Sequence, residues 1–163
     1  MKRLLAWLCA VLSAIGITAC DYFNLRELKP GESTAAEVRE RFGPPQMEWR
    51  NADGSVTWEF TRQPEGTECF MITIGPDEIL RSVEQVLNEQ NFARVVNGMS
   101  GDEVRRLLGK PARSQFFRLK RETVWEWKIS NGPDGTSDPV FFTVSFNTDG
   151  RVTGTGRYTQ YRR

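Results

Sequence analysis

The stretch 100-SGDEVRRLLGKP-111 repeats, with changes, the stretch 34-TAAEVRERFGPP-45. In each, a hydroxyl residue stands three positions before a glutamate, the spacing of a capping box that starts a helix. Ala35, Val38 and Phe42 then share one helical face, as do Val104, Leu107 and Leu108. Gly43 and Gly109 end the two helices, with proline just beyond. The offset between the stretches is 66 residues.

The likeness extends outward from these helices. Asn24-Leu25-Arg26-Glu27-Leu28 before Gly31 matches Asn91-Phe92-Ala93-Arg94-Val95 before Gly98. Trp58-Glu59-Phe60 matches Trp125-Glu126-Trp127, and Phe70, Ile72 and Ile74 match Phe142, Val144 and Phe146. Four matches in one order indicate a duplicated unit of about seventy residues.

Each unit reads as helix followed by strands. A short helical turn is expected before each cap, over 23–28 and 92–96. Alternating apolar residues predict strands over 47–50, 55–61, 70–74 and 79–86, then 114–120, 123–129, 141–146 and 151–158. Asn51-Ala52-Asp53-Gly54 and Asn147-Thr148-Asp149-Gly150 supply hairpin turns. The predicted fold is α+β: two tandem repeats, each a helical pair followed by an antiparallel sheet of about four strands. The helices should cover one sheet face, and the two sheets should continue side by side. Trp58, Trp125 and Trp127 should point into the core. The units divide as 20–87 and 88–163, with the polar run Asn88-Glu89-Gln90-Asn91 at the break. Residues 62–68 and 130–139, rich in Pro, Gly, Thr and acids, read as mobile loops at equivalent places.

The amino-terminal region reads as an address. Lys2 and Arg3 precede an apolar stretch from Leu4 to Ile17, then Thr18, Ala19 and Cys20. A basic head, a short apolar core and small residues form a secretory leader over 1–19. The apolar run is shorter than the ~20 residues a spanning helix needs. The small residues ending on cysteine resemble the lipobox of bacterial lipoproteins, which implies cleavage before Cys20 and lipid on its sulfur.

Composition narrows the function. Without residues 1–19 the chain keeps 20 basic and 21 acidic residues, a net −1, so there is no bulk attraction to nucleic acid. Histidine is absent, which removes the commonest general base and metal ligand. No glycine-rich phosphate loop or metal-ligand cluster stands out. The chain therefore reads as a non-enzyme with no catalytic residues, metal or cofactor. Of three cysteines, Cys9 leaves with the leader and Cys20 carries lipid. Cys69, followed by Phe70, Met71 and Ile72, reads as a buried small hydrophobe.

Gly31, Ser33, Glu37, Val38, Phe42, Gly43 and Pro45, with the Trp58 strand, resemble the BamE (SmpA/OmlA) domain of outer-membrane lipoproteins. The second copy, with Gly98, Met99, Ser100, Glu103, Val104, Leu108, Gly109, Pro111, Trp125 and Trp127, fits that pattern better. Two such units in tandem also resemble the β-lactamase inhibitor protein architecture. The first resemblance implies an envelope lipoprotein acting as a protein-interaction or scaffold module, accessory to outer-membrane β-barrel assembly. Its partners would be the membrane, through lipid on Cys20, and envelope proteins such as the β-barrel assembly machine. The alternative is a periplasmic inhibitor or recognition module that binds a protein on its exposed sheet face. Candidate partner-binding residues are Trp49, Arg157 and Tyr158, the last two in a basic, aromatic tail with Tyr161, Arg162 and Arg163. The implied location is the outer membrane facing the periplasm. Asp21, beside the lipid-bearing cysteine, resembles an inner-membrane retention signal and keeps that location open.

Overall fold

A computed structural model describes residues 27–132 and 138–161; the leader 1–19, Cys20, Asp21, Arg162, Arg163 and most of the turn expected at 23–28 lie outside them. Helix α1 (Ala35–Phe42) begins at Thr34, whose hydroxyl accepts from the Glu37 amide while the Glu37 carboxylate accepts from the Thr34 amide at 2.8 Å. Strands β1 (Met47–Arg50), β2 (Val56–Thr61), β3 (Cys69–Ile74) and β4 (Leu80–Gln85) follow. Next come α2 (Glu89–Ala93) and α3 (Gly101–Leu108). Ser100 and Glu103 repeat the reciprocal cap of α1. Strands β5 (Arg113–Phe117), β6 (Glu122–Ser130), β7 (Val140–Phe146) and β8 (Val152–Thr159) complete the described chain.

The architecture is α+β, with two four-stranded antiparallel sheets in the orders β1-β2-β3-β4 and β5-β6-β7-β8. The duplication extends to register. Trp58 pairs with Ile72, Glu59 with Met71, Phe60 with Phe70 and Thr61 with Cys69. Trp125 pairs with Val144, Glu126 with Thr143, Trp127 with Phe142 and Lys128 with Phe141. Gly31 donates to the Leu80 carbonyl and Gly98 to the Val152 carbonyl, each at 2.8 Å. Both glycines have positive φ, which lets the chain turn into the cap without a Cβ clash.

Three local expectations change. The polar run 88–91 caps and opens a helix. Asn88 caps α2 by accepting from the Asn91 amide, and the buried Asn91 side chain donates to the Val86 carbonyl at 3.0 Å. The helix therefore starts before the expected 92–96. Strand β5 stops at Phe117 rather than running to 120, because the chain turns through 118–121 with Arg121 at φ 54°.

The third change concerns the layers. Val38 and Phe42 of α1 pack with Trp58, Phe60, Phe70 and Ile72 on one face of the first sheet. Phe92, Val104 and Leu108 of α2 and α3 pack with Trp127, Phe142, Val144 and Phe146 on one face of the second. That second core also takes in Cys69 and Met71 from the opposite face of the first sheet. Helix α3 thus lies between the sheets, which do not continue side by side by strand pairing. Trp58 and Trp127 are buried as expected, and Trp125 is half-buried against the second core.

Candidate functional site

Strand alternation divides the second sheet into two faces. Trp127, Phe142, Val144 and Phe146 turn toward α2 and α3 and are buried. Arg113, Gln115, Val124, Glu126, Thr143, Ser145 and Tyr158 take the other face, where none of them is buried. No described helix covers that face.

Its one buried side chain is Phe141, only 5% exposed. Tyr158 stacks on it with ring centroids 5.2 Å apart and planes 14° from parallel. The Arg113 guanidinium lies 4.6 Å from the same ring, a cation–π distance. Arg113 also pairs with Glu126 at 3.1 Å and donates to the Gln160 side-chain oxygen at 3.1 Å. The Tyr158 hydroxyl is held above its ordinary pKa, first by burial and then by the Glu126 carboxylate. Beside this cluster a recess of about 280 Å³ is lined by Pro64, Ala112, Arg113, Lys128, Phe141 and Gln160. The site offers aromatic stacking, a guanidinium and amide groups, the chemistry of recognition.

One wall of the recess comes from the first unit. The Gln63 side chain donates to the Lys128 carbonyl at 2.8 Å and accepts from the Lys128 amide at 3.0 Å, as a neighbouring strand would. Lys128 Nζ donates to the Glu65 carbonyl at 2.8 Å. The 62–68 loop is therefore fastened across the two units, where the sequence suggested mobility.

The three sequence-derived candidates occupy three surfaces. Tyr158 is on the open face. Arg157, its neighbour, points to the other side of β8, as alternation requires. There it pairs with Glu89 at 2.6 Å and lies over Phe92 and Phe142 at 5.3 and 5.8 Å, tying β8 to α2. Trp49, on β1, is half-buried beneath Arg106 at 4.7 Å and Arg105 at 5.8 Å. Its indole N–H is buried without a hydrogen-bond partner among the described residues. Cys20 lies outside the described residues. Arg113, Phe141 and Glu126 were not singled out as site residues from the sequence. The signal for Glu126 was its match with Glu59, and for Phe141 its place beside the inward-facing Phe142.

The match with Glu59 also shows what this kind of face can hold. In the first unit the equivalent row is Glu59, Thr61, Cys69 and Met71, and it is buried under α3. Glu59 accepts from Arg105 and from the Lys110 amide at 3.0 Å. A Cβ at Gly109 would clash with the Cys69 sulfur. In the second unit the corresponding row is Glu126, Lys128, Phe141 and Thr143, and no described third unit lies on it.

No known family profile matches the chain, and no curated protein matches it. Among solved structures it is similar to a provisionally assigned β-lactamase inhibitor protein of Streptococcus mutans. That likeness has 12% identity and a TM-score of 0.34, and covers 87% of this chain and 97% of the other. It is also similar to a DUF4309 family protein of Bacillus subtilis, at 13% identity and a TM-score of 0.30, covering 84% of each chain.

Proposed function

We propose that this chain is a non-catalytic, lipid-anchored envelope protein that recognises another protein on the open face of its second sheet. One observation carries the reading. The equivalent face of the first sheet is already a protein-binding face within the chain, occupied by the end of α3. The same fold element in the second unit presents a carboxylate, an aromatic platform and an arginine with no described covering. Exposed arginine and tyrosine are the residue types that anchor protein interfaces.

The finer reading is a scaffold accessory to outer-membrane β-barrel assembly, supported by the BamE-like residues around Gly98, Glu103 and Gly109. An inhibitor would use the same face, and the partner's identity separates the two. The anchor is lipid on Cys20, supported by the lipobox-like run. The outer membrane is the proposed location, with the inner membrane as the alternative that Asp21 raises.

The test is affinity capture from detergent-solubilised envelopes with the parent chain and with an Arg113→Ala/Tyr158→Ala variant. Truncating such anchors costs an interface about 2 kcal/mol or more each. The variant should keep its cooperative thermal transition and lose the partner. Equal recovery of one partner by both proteins would remove the open face from the account.

A further inference from the structure

Helix α3 covers only part of the face it packs against on the first sheet. Cross-strand register sets Trp49 beside Thr57, Thr57 beside Thr73, and Met71 beside Glu84, all on that face. Met71 is buried, Thr57 and Thr73 are half-buried, and Glu84 is exposed. Arg94, just after α2, and Arg106, on α3, come to the same place from the second unit. Between the two units these side chains line a recess of about 220 Å³, with Met71 and Val86 as its apolar part.

The charged groups of the recess have no opposite charge beside them. Arg106 lies 4.7 Å from the Trp49 ring, and Arg94 donates to the Asn91 side-chain oxygen at 3.0 Å. Neither arginine has an acidic partner among the described residues, and Glu84 has no basic one. Thr57 Oγ1 accepts from the Asn51 side-chain amide at 2.9 Å and lies 3.0 Å from Thr73 Oγ1. Two hydroxyls that share one hydrogen bond leave one O–H to donate elsewhere. Two guanidinium groups match a carboxylate. A carboxylate in the same recess accepts from an ammonium, and the apolar part takes a short aliphatic side chain. The recess is smaller than those that hold drug-sized ligands. A small α-amino acid carries all three features. A phosphate would satisfy the arginines and be repelled by Glu84.

We infer that the recess between the two units binds a small apolar α-amino acid, its carboxylate on Arg94 and Arg106 and its ammonium on Glu84. The site is separate from protein recognition on the open face of the second sheet.

Titration followed by nuclear magnetic resonance tests it. The protein is the chain from residue 20 onward carrying Cys20→Ser, and L-valine is the probe. The backbone amide signals of Thr57 and Thr73 should shift saturably. N-acetyl-L-valine lacks the ammonium and L-valinamide lacks the carboxylate. Each should bind about tenfold more weakly, the worth of a hydrogen bond to a charged group. Arg94→Gln with Arg106→Gln should weaken L-valine binding by about tenfold or more. Glu84→Gln should weaken L-valine about tenfold and leave N-acetyl-L-valine unchanged, a split that a merely structural role would not produce. All three substituted positions are exposed, so an unchanged thermal transition will show that the fold persists. No saturable shift with L-valine, equal affinity in parent and variants, or equally tight binding of inorganic phosphate would overturn the inference.

Discussion

Glu59, on the first sheet, accepts the guanidinium of Arg105 from the second unit's helix, with Nε–Oε2 at 3.2 Å and Nη2–Oε1 at 3.3 Å. The Glu59 side chain is wholly buried and that of Arg105 is 24% exposed. The pair joins two units whose sheets share no strand pairing. Removing Arg105 leaves a buried carboxylate whose remaining hydrogen-bond partner among the described residues is the Lys110 amide. Arg105→Ala should therefore destabilise the chain by about 3–5 kcal/mol in denaturant unfolding. Replacing both, as Glu59→Met with Arg105→Met, should restore most of the loss, since a packed apolar pair avoids the desolvation cost. A double variant as unstable as the single one would mean that charge pairing does not hold this interface.

Gly43 and Gly109 end equivalent helices at the same φ, 76°, with extended ψ, a region close to glycine-only. Alanine there costs on the order of 1–3 kcal/mol in backbone strain. At Gly43 nothing lies within 4 Å of a new Cβ, whereas at Gly109 a new Cβ would clash with the Cys69 sulfur. Gly109→Ala should thus lower the melting temperature clearly more than Gly43→Ala. Adding Cys69→Ala should recover part of the difference. Equal costs at the two positions would contradict the close packing of α3 on β3.

Burial, and then the Glu59 charge, push the Cys69 thiol up to about 12. In the unfolded chain the thiol ionises near its ordinary value, about 8.5. Between those values the folded state holds a proton that the unfolded state has lost, so stability falls as pH rises. The parent should lose stability from about pH 9 upward more steeply than Cys69→Ala, whatever the constant offset from the smaller side chain. Parallel slopes would refute the raised pKa. At neutral pH a thiol reagent should label the Cys20→Ser chain at Cys69 quickly only in denaturant.

The readable parts of this fold are local. Thr34 and Glu37, or Ser100 and Glu103, reveal a helix start because both halves of the cap lie within four residues. Trp127, Phe142, Val144 and Phe146 reveal a buried face because strand alternation is also local. What covers the other face is not local. Glu59 alternates with Trp58 and Phe60 as a solvent-facing residue would, and it is buried where Arg105 and the Lys110 amide meet its carboxylate. Asn88 is ambiguous for a related reason: asparagine serves loops and caps alike, and its hydrogen bond to the Asn91 amide decides which. The site suffers most, since Arg113, Phe141 and Tyr158 come from three strands. Arg157 looked like a partner of Tyr158 by adjacency, and adjacency on a strand places two residues on opposite faces.

Site-specific photo-cross-linking tests the central claim most directly. A cross-linking amino acid at Ser145, on the open face beside Gly154, should form an adduct with an envelope protein in living cells. The same amino acid at Glu40, an exposed position of α1, should not form it. An adduct at Ser145 alone, lost when Arg113 and Tyr158 are replaced by alanine, is the result this account predicts. No protein adduct at Ser145, or the same adduct from both positions, would contradict it.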